Sequence, residues 1–155
     1  MIAISALGRG TYELRASQDL PLPREEIFPF FADARNLERL TPPSLQFVIV
    51  TPGPIDLRAG AVIDYRIRVH GIPLDWRTEI TGWEPPVWFA DTQVRGPYRL
   101  WNHEHRFEPI EGGTRCIDIV RYRPRGGALA NLLVRRDLHR IFRYRSERLP
   151  ELLTH

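Results

Sequence analysis

The sequence predicts an α+β domain, with a curved antiparallel sheet of six to seven strands wrapped around one long C-terminal helix and two short helices after the first strand. Three observations carry this expectation. Short runs of alternating apolar and polar residues recur between residues 45 and 123, with turn residues about every ten to twelve positions, the mark of an antiparallel meander. Past Gly127, apolar residues recur three and four apart, the spacing of one helical face. A sheet with one apolar face needs a cover, and only that helix is long enough to supply it. A bent sheet closed by a single helix generally encloses space between the two.

Tyr12 to Gln18 alternates and is the first expected strand. Pro23 suits a first helical position, and Glu25 and Glu26 suit the positive end of a helix dipole. Ile27, Phe28, Phe30 and Phe31 give that helix its apolar face, and Pro29 keeps it short or kinks it. Asp33 can cap a second short helix running to Leu40, which Thr41-Pro42-Pro43 stops. Strands are then expected over Leu45–Val50, Ala61–Val69, Leu74–Trp83, Val87–Val94, Tyr98–Glu108 and Thr114–Arg123. His70-Gly71-Ile72-Pro73, Pro85-Pro86, Gly96-Pro97 and Glu111-Gly112-Gly113 punctuate them. In the second, Ile63, Tyr65, Ile67 and Val69 share one face; in the third, Leu74, Trp76, Thr78 and Ile80 do. Pro124-Arg125-Gly126-Gly127 ends the sheet. The last helix is expected to run to about Arg148 with Val134, Leu138, Ile141, Phe142, Arg145 and Leu149 on its inner stripe, and Pro150 to end or kink it.

Bulk properties narrow the function classes. A length of 155 residues suits one domain, residues 1–155 with a core of about 11–149. No apolar run approaches the roughly 20 residues of a membrane span. The start, MIAISALGRGTYEL, has no basic n-region and does not read as a signal peptide. Cys116 is the single cysteine, which excludes an internal disulfide or a four-cysteine zinc site and fits the expected cytoplasmic location. All 22 basic residues are arginine, so lysine Schiff-base chemistry is excluded. The net charge is +3, yet acidic residues interleave almost everywhere, so no nucleic-acid partner is expected. GRGTYE lacks the pattern of a dinucleotide loop, and no serine or cysteine sits in a nucleophile elbow.

The stretch RLWNHEHRF, residues 99–107, carries the chemistry. On a strand, Trp101, His103, His105 and Phe107 share a face, and Asn102, Glu104 and Arg106 share the other. The aromatic face turns toward the helix, so both histidines point inward and Glu104 does not serve them. Such a pair can be a hydrogen-bonded part of the core, a polar contact for a bound molecule, or a metal or general-base site. Zinc wants a third and fourth ligand, and nothing in the sequence places His70, His139 or His155 nearby, so no metal is expected. Asp118 shares a face with Cys116, Val120 and Tyr122, and on the inner face it could accept from either histidine across the hairpin. A one-residue slip would reverse that and put Ile117 and Ile119 inside. Arg145, on the apolar stripe of the last helix, must snorkel out, pair with a carboxylate, or hold an anionic ligand.

The segments FADARNLERLTPP (31–43), HGIPLDWRTEI (70–80), FADTQVRGPYRLWNHEHRFEP (89–109), GGTRCIDIVRYRP (112–124) and IFRYR (141–145) together resemble the START-like or SRPBCC superfamily. The resemblance is to its small bacterial ligand-binding branch, near the polyketide cyclase/dehydrase proteins. It implies the helix-grip fold shared with the birch pollen allergen and favours an inward Asp118. It also implies a small apolar or amphipathic ligand, lipid- or polyketide-like, held between sheet and last helix, with no cofactor. The candidate lining is Tyr65, Ile67, Trp76, Trp101, His103, His105, Asp118, Tyr122, Phe142 and Arg145. The alternative is a cyclase or dehydratase, with His103, His105 and Asp118 as catalytic candidates and Tyr122 or Arg145 steadying an enolate.

Overall fold

The computed structural model describes residues 1–154; His155, one of the histidines weighed above, lies outside the described residues. Eight strands form one antiparallel sheet in the order β1-β2-β8-β7-β6-β5-β4-β3. They are β1 (Ile2–Gly8), β2 (Thr11–Leu20), β3 (Val48–Ile49), β4 (Val62–Val69), β5 (Ile72–Glu84), β6 (Trp88–Arg95), β7 (Tyr98–Ile110) and β8 (Gly113–Pro124). Helices α1 (Arg24–Ala32) and α2 (Asn36–Arg39) carry the chain from β2 to the opposite edge, and α3 (Gly127–Leu153) closes the fold. This is a helix-grip architecture.

The sheet has one more strand than the upper end of the expected range. β1 pairs with β2 as an edge strand, through a turn in which Gly8, Arg9 and Gly10 all adopt positive φ. The Gly-Arg-Gly turn is its sequence signal, because glycine reaches positive φ without a Cβ penalty. Its alternation is faint, with only Ile2 and Ile4 partly covered. The expected strand Leu45–Val50 shrinks to the two residues of β3. Leu45 instead ends a 3₁₀ turn at Pro43–Leu45, and Gln46 takes a left-handed conformation that breaks the extended run. Ile72 and Pro73, expected in the hairpin turn, already belong to β5.

Helix α1 is nine residues long with Pro29 inside it. Phe28 points inward and meets Trp83, Phe89 and Phe107 edge-on at centroid distances of 5.1, 5.8 and 5.5 Å. Helix α3 runs past its expected end. Proline at position 150 has no N–H to give, which would orphan the carbonyl of Ser146 one turn earlier. Gln18 Nε2 of β2 donates to that carbonyl at 2.7 Å, so the helix continues to Leu153 with its ladder mended from the sheet. Asn131, Leu138, Phe142, Arg145 and Leu149 are the buried residues of α3.

Two apolar clusters flank the middle of the sheet. Leu14, Val120, Tyr122, Leu138 and Phe142 pack α3 onto β2 and β8. Ala34, Leu57, Ile63 and Ile80 pack the α1–α2 connection and the following loop onto β4 and β5. Between them lies a cavity of about 320 Å³, whose wall includes members of both clusters. No helix is long and apolar enough to cross a membrane among the described residues.

Candidate functional site

The inward faces of β4 and β5 supply the apolar wall of the cavity. Ile63, Tyr65, Ile67 and Val69 come from β4, and Leu74, Trp76, Thr78 and Ile80 from β5, as strand alternation requires. Tyr65 and Trp76 stack at 5.6 Å, and Trp101 meets Trp76 edge-on at 5.3 Å. Aromatic surfaces therefore line one side of the space, and Leu138, Ile141 and Phe142 of α3 line the other.

The polar wall is a linked cluster on β6, β7, β8 and α3. His103 Nε2 bonds Asp118 Oδ1 at 2.7 Å, and His105 Nε2 bonds Asp91 Oδ2 at 2.8 Å. Arg145 Nη2 reaches Asp118 Oδ1 at 3.5 Å. In the register, His103 lies opposite Asp91 and His105 opposite Asp118, yet each imidazole bonds the diagonal carboxylate. The crossing forces the two rings together. They stack at 3.7 Å, and Phe89 stacks on the far face of His105 at 4.0 Å. Both histidines are 6% exposed, and Arg145 is 9% exposed.

The electrostatics follow from this packing. Burial alone would raise the pKa of Asp118, but the Arg145 guanidinium and the His103 hydrogen bond outweigh it and hold the carboxyl well below the usual range. Asp91 is likewise held low against its burial, chiefly by its bond from His105. Burial, with His103 as neighbour, pushes the His105 imidazole down to about 4. His105 is thus neutral near pH 7. Facing an ionised Asp91, its Nε2 must carry the proton, which leaves a lone pair on Nδ1. That Nδ1 is buried without a hydrogen-bond partner, 3.4 Å from Asp118 Oδ1. His103 Nε2 must also donate to its carboxylate. Its Nδ1 bonds no group among the described residues and is not among the buried unpartnered atoms. Two carboxylates face one guanidinium, so negative charge outnumbers permanent positive charge in the cluster.

Asp91, His103 and His105 place one ligand atom each within 4.8 Å of one another, which raises the question of a metal. The ring planes lie 21° apart in a stack, so their in-plane lone pairs run side by side and do not converge on one point. Each Nε2 is also taken by a different carboxylate. The arrangement suits a hydrogen-bonded relay and not a chelate.

Of the residues expected from sequence, Tyr65, Ile67, Trp76, Trp101, His103, His105, Phe142 and Arg145 line the cavity. Asp118 faces inward but stands behind the histidines, against a separate crevice of about 40 Å³ beside Gln18 and Ser146, with room for about one water. Tyr122 does not line the cavity, correcting the expectation. It is fully buried, stacks on Tyr12 at 5.6 Å, and its hydroxyl donates to Asn131 Oδ1 of α3 at 3.1 Å. Asp91 was missed, although its signal exists: it sits two residues after the inward Phe89 on the same strand. His70 and His139 lie away from the cluster; His70 Nε2 instead bonds Asp137 Oδ2 of α3 at 3.1 Å at the cavity rim.

A curved sheet gripping one helix around an apolar space with a polar wall defines a helix-grip cavity protein. Residues 20–149 match the family model described as polyketide cyclase / dehydrase and lipid transport, and the chain belongs to that family. Among solved structures, the Zhui aromatase/cyclase from Streptomyces sp. R1128 has a TM-score of 0.74 at 13% identity, covering 93% of this chain and 94% of its own. Protein Ms6760 from Mycobacterium smegmatis has a TM-score of 0.69 at 22% identity, covering 99% and 98%. TTHA0849 from Thermus thermophilus has a TM-score of 0.66 at 18% identity, covering 91% and 93%. At these identities the likeness concerns the fold. A comparison of the sequence with curated proteins returns no match.

Proposed function

We propose that the protein binds one small, flat, mainly apolar molecule whose polar end is a hydrogen-bond donor. The carrying observation is the cavity of about 320 Å³, lined mainly by apolar and aromatic side chains and bounded on one wall by the histidine–aspartate cluster. That volume is at the lower end of small-molecule sites, roughly 300–1,000 Å³. Facing aromatic side chains suit an aromatic, polyketide-like ligand better than a flexible acyl chain. Arg145 Nη2 faces Asp118 Oδ1 at 3.5 Å and is outnumbered by the two carboxylates of the cluster, which argues against its gripping a carboxylate ligand. A ligand hydroxyl would be met by Asp91 or by Nδ1 of His103; a ligand carboxylate would meet like charge.

The matched pair 1-naphthol and 1-naphthoate tests this, read by quenching of tryptophan fluorescence in a protein whose cavity holds Trp76 and Trp101. The phenol is expected to bind at least about tenfold more tightly, a difference of about 1.4 kcal/mol. Equal affinities, or tighter binding of the carboxylate, overturn the donor-end reading. Native mass spectrometry of the purified protein searches for a co-purified guest directly.

A second reading rests on one feature. The Asp118–His103 pair fixes the proton on Nε2 and presents Nδ1 as an unpaired nitrogen, the arrangement of an oriented general base. It predicts that His103→Gln retains ligand affinity while losing turnover of a polyketide-like substrate. A protein that binds such compounds and turns none over overturns it.

A further inference from the structure

The arginines are not spread evenly over the molecule. The β1–β2 turn, the β6–β7 turn, the end of β8, the tip of the β4–β5 hairpin and the start of α3 all lie at one end of the sheet, as the strand register requires. Arg9, Arg95, Arg99, Arg125, Arg135 and Arg136 are exposed there, and none pairs with a carboxylate among the described residues. On the faces of the sheet, by contrast, Arg15, Arg66, Arg77, Arg106, Arg115 and Arg121 each hold an acidic partner. The carboxylates of the basic end are already engaged, Asp75 by Arg66 and Asp137 by His70 and Arg140. The opposite end exposes Glu25, Glu26, Glu84, Glu108 and Glu111. A modest net charge of +3 is therefore drawn out into a dipole along the sheet.

The basic end also carries the largest exposed apolar side chains of α3. Leu129, Leu132 and Leu133 are 80, 60 and 59% exposed. Spaced three and four apart, they form one patch on the side of α3 opposite Leu138 and Phe142. Arg136 continues the same face one turn on, and Arg135 flanks it. The cavity reaches this end, where exposed Arg125 is part of its wall, next to Pro124 and Val134. Apolar side chains ringed by unpaired cations, on a helix end beside the cavity wall, fit a surface that is negative outside and apolar just beneath.

We infer that this end docks reversibly on an anionic phospholipid bilayer, with the three leucines entering the interface, the arginines on the headgroups, and the cavity wall at Arg125 facing the membrane. The acidic far end, repelled by the same surface, sets the orientation. The inference does not depend on the ligand's polar end.

Co-sedimentation of the full chain with vesicles tests it. Binding is expected to phosphatidylcholine vesicles containing phosphatidylglycerol. At least roughly tenfold less is expected to pure phosphatidylcholine, or in about 1 M NaCl, where the screening length is about 3 Å. Leu129→Glu with Leu133→Glu is expected to lower partitioning at least roughly tenfold, and Arg135→Glu with Arg136→Glu by a similar factor. All four side chains are exposed, so the melting temperature should hold and serves as the folding control. Arg39→Glu with Arg58→Glu, exposed elsewhere, should bind as the parent does. Failure to bind anionic vesicles overturns the inference, as does binding that survives both variants. A dimer in light scattering that only the leucine variant dissociates, without vesicle binding, assigns the patch to a second copy of this chain and also overturns it.

Discussion

Replacing Arg145 by methionine isolates the one permanent cation of the buried cluster. Methionine keeps an unbranched apolar side chain at this position and removes the guanidinium, and with it both the ion pair and the cation–π contact in which Cζ lies 5.3 Å from the centroid of the Phe142 ring. At 3.5 Å from Asp118 Oδ1, the gross attraction is about 5 kcal/mol at an effective dielectric constant of about 20. Desolvation of the guanidinium offsets part of this in the parent. In the variant, two inward carboxylates remain without a guanidinium, and breaking such a pair on one side costs about 3–5 kcal/mol. A loss of about 3 kcal/mol corresponds to roughly 6–12 °C of melting temperature for a chain of this size. Urea denaturation at pH 7 measures the loss. Adding Asp118→Asn to Arg145→Met removes the stranded charge and should recover at least half of it, a coupling that a double-mutant cycle reads. A single variant within about 1 kcal/mol of the parent, or a cycle with no coupling, refutes the claim that this ion pair ties α3 to the sheet.

Acid titration probes the other side of the cluster. The His105 pKa is about 4 in the folded state against an ordinary 6.5, so between these values the unfolded chain binds a proton that the folded chain refuses. Stability from this group is complete above about pH 6.5 and is lost as pH falls toward 4, by on the order of 3 kcal/mol. His105→Gln should flatten that part of the urea-midpoint profile. The carboxylates, held low in the folded state, add their own loss only at more acidic pH. Tyr122→Phe removes the donor to buried Asn131 and should cost about 1–2 kcal/mol in denaturation while leaving ligand affinity unchanged. Cys116 is buried and its thiol is pushed up to about 12, so iodoacetamide at pH 8 should label it only once urea has unfolded the chain.

Much of the architecture was legible because alternation and turn residues are local signals. β4 and β5 put Ile63 to Val69 and Leu74 to Ile80 on the cavity side as their period-two patterns require. The inward histidines followed from the same rule applied to residues 101–107. What stayed hidden depends on pairing across strands. Asp91 reaches His105 only because β6 lies beside β7 in a register that no local pattern encodes, and the bond is diagonal. Tyr122 faces the helix side as Asp118 does, yet it meets Tyr12 and Asn131 instead of the cavity, a distinction set by position along the strand. β1 escaped notice because an edge strand with one face on solvent needs few apolar residues. The continuation of α3 past Pro150 needed Gln18, a residue more than a hundred positions away in the chain.

The clasp between Arg145 and Asp118 sits in the second half of α3, together with the Gln18 bond to Ser146, whereas the first half is held by the buried Tyr122–Asn131 bond and the exposed His70–Asp137 contact. The strand-to-helix junction at Gly126 and Gly127 adopts positive φ at both residues. The helix is consequently stitched to the sheet along its length, by an ion pair in its second half and by a buried tyrosine hydroxyl in its first. A crosslink between the hairpin tip and residue 137 would therefore add a covalent stitch at the exposed contact, and should raise the melting temperature without disturbing the buried clasp.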